Sequence, residues 1–489
     1  MPPNVELARL DVSRRTEGSK KAHLGQFLTP ESTARFMARL FAPSEGGTCR
    51  LLDPGAGIGS LSLAFLERCR AGELRFANID LTAFEIDVTL HGELREFLAE
   101  SAKRLRLTYA VIGGDFVEEA VTRIRCDRPG FTHAILNPPY KKISSGSTHR
   151  LLIRQVGIET VNLYSAFLAL TLSLMDAGGQ VVAIVPRSFC NGPYYKAFRY
   201  FLLDRAAIRR MHLFTSRSKA FKDDQVLQEN VIVLLERAGQ QREVEISTST
   251  DDTFDDIKSA TYPFSRVVEP DDPELFIHFP SAPEESPLRR SATVCSSLAD
   301  LGLRVSTGPV VDFRVQDELR FGSERETVPL LYPGHFTPNG VIWPGGEGKK
   351  PNSILRNAKT DKWLYPTGHY CVVRRFSSKE ERRRVVAGVV KPQDLGHAKH
   401  IGFENHLNII HDNKRGLVPE VAYGLAAFLN STAVDEQFRQ FNGHTQVNAT
   451  DLKQLRYPHL AVLKGLGEWA IARGAPSQRE IDEVVEGLI

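Results

Sequence analysis

The run THAILNPPYKK, residues 132–142, carries an apolar strand pattern that stops at Asn137, Pro138, Pro139 and Tyr140. Proline has no N–H and a fixed φ, so the pair keeps its backbone carbonyls free and holds them rigidly. Asn137 adds a side-chain carbonyl acceptor, and Tyr140 adds a flat face for stacking. These groups answer one chemical problem. An amine conjugated to a heteroaromatic ring is a poor nucleophile, because its lone pair is delocalised. The Asn137 side-chain oxygen and the Pro138 carbonyl can bind its two hydrogens, draw the nitrogen toward tetrahedral geometry and localise that pair. Attack on an in-line sulfonium methyl then needs positioning and electrostatics, not a strong base. The plain alternative is a proline-capped strand end.

A second group lies upstream. LLDPGAGIGSLSLAFL, residues 51–66, sets Asp53 at the end of an apolar strand and Gly55, Gly57 and Gly59 before a helix. Glycines permit a tight strand-to-helix turn and let backbone N–H groups approach a ligand. The spacing is G-x-G-x-G, neither the dinucleotide fingerprint nor a phosphate loop, and no lysine follows it. Such a loop suits a nucleoside ligand whose charge lies elsewhere, such as S-adenosylmethionine. Glu85 ends LTAFE at the tip of the expected second strand, placed to accept both hydroxyl protons of a ribose; Asp87 competes for that role. Asp115 follows YAVIGG at the third strand tip, placed to accept from an adenine amine, with Phe116 beside it to cover the ring. Any one of these acids alone reads as a solvated loop residue. The series carries the argument.

Elements must bring these groups together. Short apolar runs alternate with amphipathic stretches through the first half, which predicts an α/β domain with a parallel sheet. Expected strands are CRLLDPG, AFEID, YAVIGGD, HAILN and GQVVAIVP, then RRMHLF and NVIVLLE. Ligands in such sheets bind outside the carboxyl ends of the strands, where every group above falls. A Ser/Thr/Asp/Pro-rich stretch reads as a linker over residues 246–290, between a catalytic domain (1–245) and a second domain (291–489).

Composition is ordinary for a globular chain of 489 residues: 42% hydrophobic and 25% charged, with net charge +3. That balance permits a nucleic-acid partner without demanding one. The six cysteines form no C-x-x-C pair and no Cys/His cluster with zinc spacing, so no metal is expected. No signal-peptide core and no membrane-length apolar run stand out, which reads as a cytoplasmic protein without a membrane partner.

In this order DPGAGIG, a strand-end acid, GGD and NPPY resemble the class I S-adenosylmethionine-dependent methyltransferases of the N6-adenine DNA type, gamma subgroup. The resemblance covers nearly all of the first half and implies a Rossmann-like methyltransferase sheet with a C-terminal α+β target-recognition domain. The one departure is Gly55-Ala56 where Ala-Cys is commoner, a conservative exchange. HLGQFLTPESTARFMARLF is similar to the group's N-terminal motif, which implies cofactor contacts at Gln26, Phe27, Thr29 and Pro30. The aromatic that stacks on the extruded base matches Phe221. Restriction–modification relatives of this type imply double-stranded DNA, base flipping and a cognate restriction endonuclease as partner.

The NPPY signal is shared with enzymes acting on RNA bases and on glutamine of release factors. Some two hundred residues follow the catalytic half, more than a glutamine-directed enzyme needs. RRFSSKEERRR, residues 374–384, reads equally as a phosphate-tracking stretch or a solvated face. FRQFNGHTQVNATDLKQLRYP, residues 438–458, resembles the C-terminal segment of restriction-type recognition domains. It gathers Asn442, His444, Thr445, Gln446 and Asn448 in one turn. DNA contact and helix-cap chemistry both account for these residues singly; DNA contact is favoured for the segment. The expectation is a DNA N6-adenine methyltransferase, with an RNA adenine-N6 or guanine-N2 methyltransferase as the alternative.

Overall fold

The protein is described by a computed structural model at residues 5–15, 28–44, 46–128, 130–215, 229–280, 287–324, 326–337, 340–344, 350–377, 381–442 and 445–489. The chain divides into two units, Met1–Pro283 and Glu284–Ile489.

In the first unit the apolar runs become β1 (Thr48–Pro54), β2 (Asn78–Phe84), β3 (Leu107–Ile112), β4 (Phe131–Leu136) and β5 (Met175–Pro186), all parallel. β6 (Ala206–Phe214) and β7 (Asn230–Arg237) complete the predicted set, with β7 antiparallel between β5 and β6. Two further strands, β8 (Val244–Ser249) and β9 (Lys258–Tyr262), extend the sheet to the order β3-β2-β1-β4-β5-β7-β6-β8-β9. The stretch read as a linker therefore begins inside the sheet, and the unit runs on to Pro283. Val244, Ile246, Ser247, Ser249 and Tyr262 are buried there, a strand pattern that the polar composition hides.

Helices cover both faces. α1 (Glu31–Arg39), α2 (Ser60–Arg70) and α3 (His91–Ala102) pack a core with Leu51, Ile79 and Ile135. α4 (Phe116–Arg125), α5 (Thr148–Arg154), α6 (Leu163–Ser173) and α7 (Lys196–Arg205) bury the other face around Leu136, Ala183 and Val233. From β1 the chain winds outward to β2 and β3, then returns to β4 on the opposite side. That reversal opens a crevice at the carboxyl ends of β1 and β4, where α/β sheets hold ligands.

The second unit has a four-stranded antiparallel sheet and a five-stranded mixed sheet, and apart from the single turn Pro287–Arg290 its described α-helices are gathered from Pro419 onward. Two of them, Pro419–Leu429 and Thr432–Phe441, meet at Ser431, whose side chain caps the second by accepting from Val434 N at 3.3 Å. Helices Pro419–Leu429 and Leu460–Arg473 cross at Gly424 and Gly467, so closely that a Cβ on Gly467 would overlap the Glu420 carbonyl. Glycine to alanine inside a helix ordinarily stabilises by about 1 kcal/mol. Here the sign reverses. Gly467→Ala is expected to lower stability by about 1–3 kcal/mol by overpacking, while Gly465→Ala, which meets nothing within 4 Å, follows the ordinary rule. Urea midpoints of the two variants check this; equal midpoints would contradict the close crossing.

Candidate active site

The carboxyl ends of β1, β2, β3 and β4 form one rim: Pro54 lies beside Phe84, Phe84 beside Ile112, and Leu52 beside Ala134. The glycine loop leaves β1 with φ of +97°, +56° and +92° at Gly55, Gly57 and Gly59, values that a side chain would strain. Gly55 N and Ala56 N donate to the Phe84 carbonyl at 2.9 and 2.7 Å, which folds the loop over the end of β2.

Glu85 sits directly under that loop. Its Oε2 accepts from Gly57 N and its Oε1 from Asp87 N, both at 2.7 Å. His91 Nε2 bonds the Glu85 carbonyl at 2.8 Å and pins the strand end. Burial raises the Glu85 carboxyl above the ordinary range, against those two backbone N–H groups. Of the two acids left open by the sequence, Glu85 lines the cavity; Asp87 turns to Thr89, accepting from its N and Oγ1 at 3.1 and 2.7 Å. Asp53 is fully buried, accepts from Ser62 Oγ at 2.6 Å and is pushed up to about 7 by burial. It fastens α2 to β1 and lies off the cavity wall among the described residues.

A cavity of about 260 Å³ opens at the crevice. Thr29, Gly57, Glu85, Asp115, Phe116 and Asn137 are on its wall, contributed by segments far apart in sequence. Pro139 joins them, while Pro30, Gly59, Pro138 and Tyr140 are not on that wall. Asn137 is held at both ends of its amide. Its Nδ2 donates to Thr29 Oγ1 at 3.1 Å, and its Oδ1 accepts from the Tyr140 hydroxyl at 3.2 Å. That hydroxyl also reaches the Ile184 carbonyl at 3.4 Å, and the Tyr140 ring meets Tyr164 edge-on at 6.2 Å. Burial raises the Tyr140 phenol well above its ordinary value, so it stays protonated. The corner is a rigid acceptor site in contact with the same cavity as the glycine loop.

Asp115 is the N-cap of α4, accepting through Oδ1 from Val117 N at 2.7 Å and Glu118 N at 3.3 Å. Its Oδ2 pairs with His149 Nε2 at 2.8 Å. Burial opposes ionisation of Asp115, but the His149 bond and the two N–H groups outweigh it and hold the carboxyl below its ordinary range. The same bond raises His149 above the usual imidazole value, with Glu118 adding to it and Lys141 opposing it. His149, Ile86, Lys141 and Phe167 also line the cavity, and sequence reasoning missed all four. Ile86, 52% exposed beside Glu85, carried the clearest signal: an apolar residue amid strand-end acids.

In the second unit Asn442 is buried and fully engaged, donating to the Gln446 carbonyl and Asp451 Oδ2, both at 2.9 Å, and accepting from Arg384 Nη2 at 2.7 Å. Asn448 caps the helix Ala449–Gln454 reciprocally with Asp451. Gln446 is half-buried and pairs with Phe376. Gln26, Phe27, Phe221 and His444 lie outside the described residues.

Comparison with known proteins follows the same lines. Residues 79–221 match the family described as Eco57I restriction-modification methylase. The Type II methyltransferase M.BsuBI of Bacillus subtilis is 51% identical over 494 residues, spanning 99% of this chain and 98% of its own. The Type II methyltransferase M.PstI of Providencia stuartii is 39% identical over 491 residues, spanning 98% and 96%. The solved structure of the Type IIL restriction-modification enzyme MmeI in complex with DNA shares the fold. It has a TM-score of 0.53 at 11% identity, covering 99% of this chain and 75% of that one.

Proposed function

This chain belongs to the Type II restriction–modification methyltransferases, and from that membership we propose that it methylates N6 of an adenine flipped out of duplex DNA. One observation carries the reading: the Asn137 corner and the Glu85-backed glycine loop face one cavity. The donor set there fits S-adenosylmethionine. Glu85 offers a carboxylate for ribose hydroxyls, Asp115 an acceptor for the adenine amine, and Phe116 and Ile86 apolar faces for the ring. At Gly57 a Cβ would press on the Leu28 side chain at 2.7 Å, so the cradle needs glycine. When bound, S-adenosylmethionine supplies an electrophilic methyl on its sulfonium.

The chain's own residues do the rest. Asn137 Oδ1 and the Pro138 carbonyl accept the two hydrogens of the target amine and localise its lone pair. Thr29 fixes the amide so that the oxygen, not the nitrogen, meets that amine. The Tyr140 ring stacks on the extruded base and offsets part of the unstacking cost of a few kcal/mol. A cognate restriction endonuclease reading the same site is the proposed partner, and the cytoplasm the proposed location; among the described residues no helix is long and apolar enough to cross a membrane. Labelled methyl transfer into duplex DNA but not ribosomal RNA tests the reading. Label in RNA alone would favour the RNA alternative.

A pH effect follows from the Asp115–His149 pair. An adenine amine that takes Asp115 Oδ2 must displace His149, and a charged imidazole is costlier to displace than a neutral one. His149 is raised above 6.5, so its proton is held below that value and lost as pH climbs through the raised one. Cofactor affinity is therefore expected to increase as pH rises through the window above 6.5. His149→Ala removes that dependence in calorimetric titrations; an unchanged profile would place the amine elsewhere.

A further inference from the structure

Past the strand Tyr370–Arg374 the chain stays extended between two neighbours. Arg375 N donates to the His406 carbonyl at 2.8 Å, Val447 N to the Arg375 carbonyl at 2.7 Å, and Ser377 N to the Thr445 carbonyl at 3.1 Å. Phe376 is thereby paired with Gln446 and stands 40% exposed. Its ring lies 4.7 Å from the His406 ring, and the Arg375 guanidinium is 5.9 Å from its centre.

The groups around that ring are held in place. Glu404, fully buried, takes His406 Nδ1 and also accepts from His406 N at 2.9 Å, which leaves Nε2 as the outer nitrogen. Arg375 donates to the Asn405 carbonyl at 3.1 Å and to Gln446 Oε1 at 3.2 Å, leaving the Gln446 NH₂ as that side chain's remaining polar end. Below them the buried Arg384 donates to Ser377 Oγ at 3.1 Å and to Asn442 Oδ1 at 2.7 Å, and Asn442 in turn donates to the Gln446 carbonyl. One guanidinium ties both extended segments together. The Arg375 guanidinium beside the ring gives the patch a positive charge that suits a polyanion.

A protruding aromatic framed by oriented polar ends on rigid backbone is what base recognition requires. The ring stacks or wedges, imidazole and amide meet base edges, and guanidinium draws in phosphate. We propose that Phe376, with Arg375, His406 and Gln446, is the surface by which the second unit contacts duplex DNA and selects the methylated site. This rests on the reading of the chain as a DNA methyltransferase.

Plasmid DNA treated with the full-length chain and sequenced for modified adenines gives the sites wild type chooses. Phe376→Ala and Gln446→Ala are each expected to reduce discrimination against sites altered at one base pair by about tenfold or more. Cofactor affinity stays as in wild type in both variants, because neither residue lines the cavity of the first unit. Unchanged site choice and kcat/KM in both variants, beside an active wild type, overturns this inference alone. A wild type that leaves all duplex DNA unmodified overturns the functional reading with it.

Discussion

Asn137→Ala is expected to lower kcat for methyl transfer by about 100- to 1,000-fold, the usual cost of removing one preorganised partner of a developing charge. The substitution deletes the Oδ1 proposed to accept from the target amine and the Nδ2 donor that Thr29 receives at 3.1 Å. It touches neither Glu85 nor Asp115, so cofactor affinity stays near that of wild type. A loss of affinity matching the loss of rate would instead mean that the cavity had collapsed. Normal turnover in the variant would remove Asn137 from the chemistry.

The second large effect belongs to Glu85. Glu85→Ala is expected to weaken S-adenosylmethionine binding by about 10- to 100-fold or more, since hydrogen bonds to a charged group contribute about 1.5–3 kcal/mol each. Two effects combine: the ribose hydroxyls lose their proposed acceptor, and Gly57 N and Asp87 N, each 2.7 Å from the carboxylate, lose theirs, so the loop loosens. Asp87→Ala is the control. It removes the Thr89 bonds and costs about 1 kcal/mol of stability as a lost cap, but leaves calorimetric affinity nearly unchanged. Reversed results would move the ribose to Asp87.

Why Glu85 rather than Asp87 could not be read by eye is a matter of register. Glu85 N still donates to the Ile112 carbonyl at 3.1 Å, so the ladder runs one residue past β2 and leaves Glu85 at the rim. Asp87 falls beyond the turn. Seven of the nine strands of the first unit's sheet were legible because each carries a short apolar run. The rim follows, because functional residues after parallel strands share one edge. His149 was not legible. It sits in the first turn of α5 and meets Asp115 across 34 residues that include α4 and β4. The role of Asn442 was hidden for the same reason: Arg384, 58 residues earlier in the chain, buries it in a network that composition does not announce. β8 and β9 were masked by their Ser and Thr content, although Ser247 and Ser249 are buried and bond the His212 ring at 2.8 and 3.0 Å. Local pattern reveals strands and helices; pairings between distant polar groups need the fold.

The central claim is that the Asn137–Tyr140 corner presents its acceptors to the amino group of an adenine drawn out of duplex DNA. Its most direct test is nucleoside mass analysis of duplex DNA incubated with the protein and methyl-labelled S-adenosylmethionine. The predicted result is label in N6-methyladenine of the duplex, absent when Asn137→Ala replaces wild type. Label confined to RNA nucleosides, or on cytosine, would contradict it.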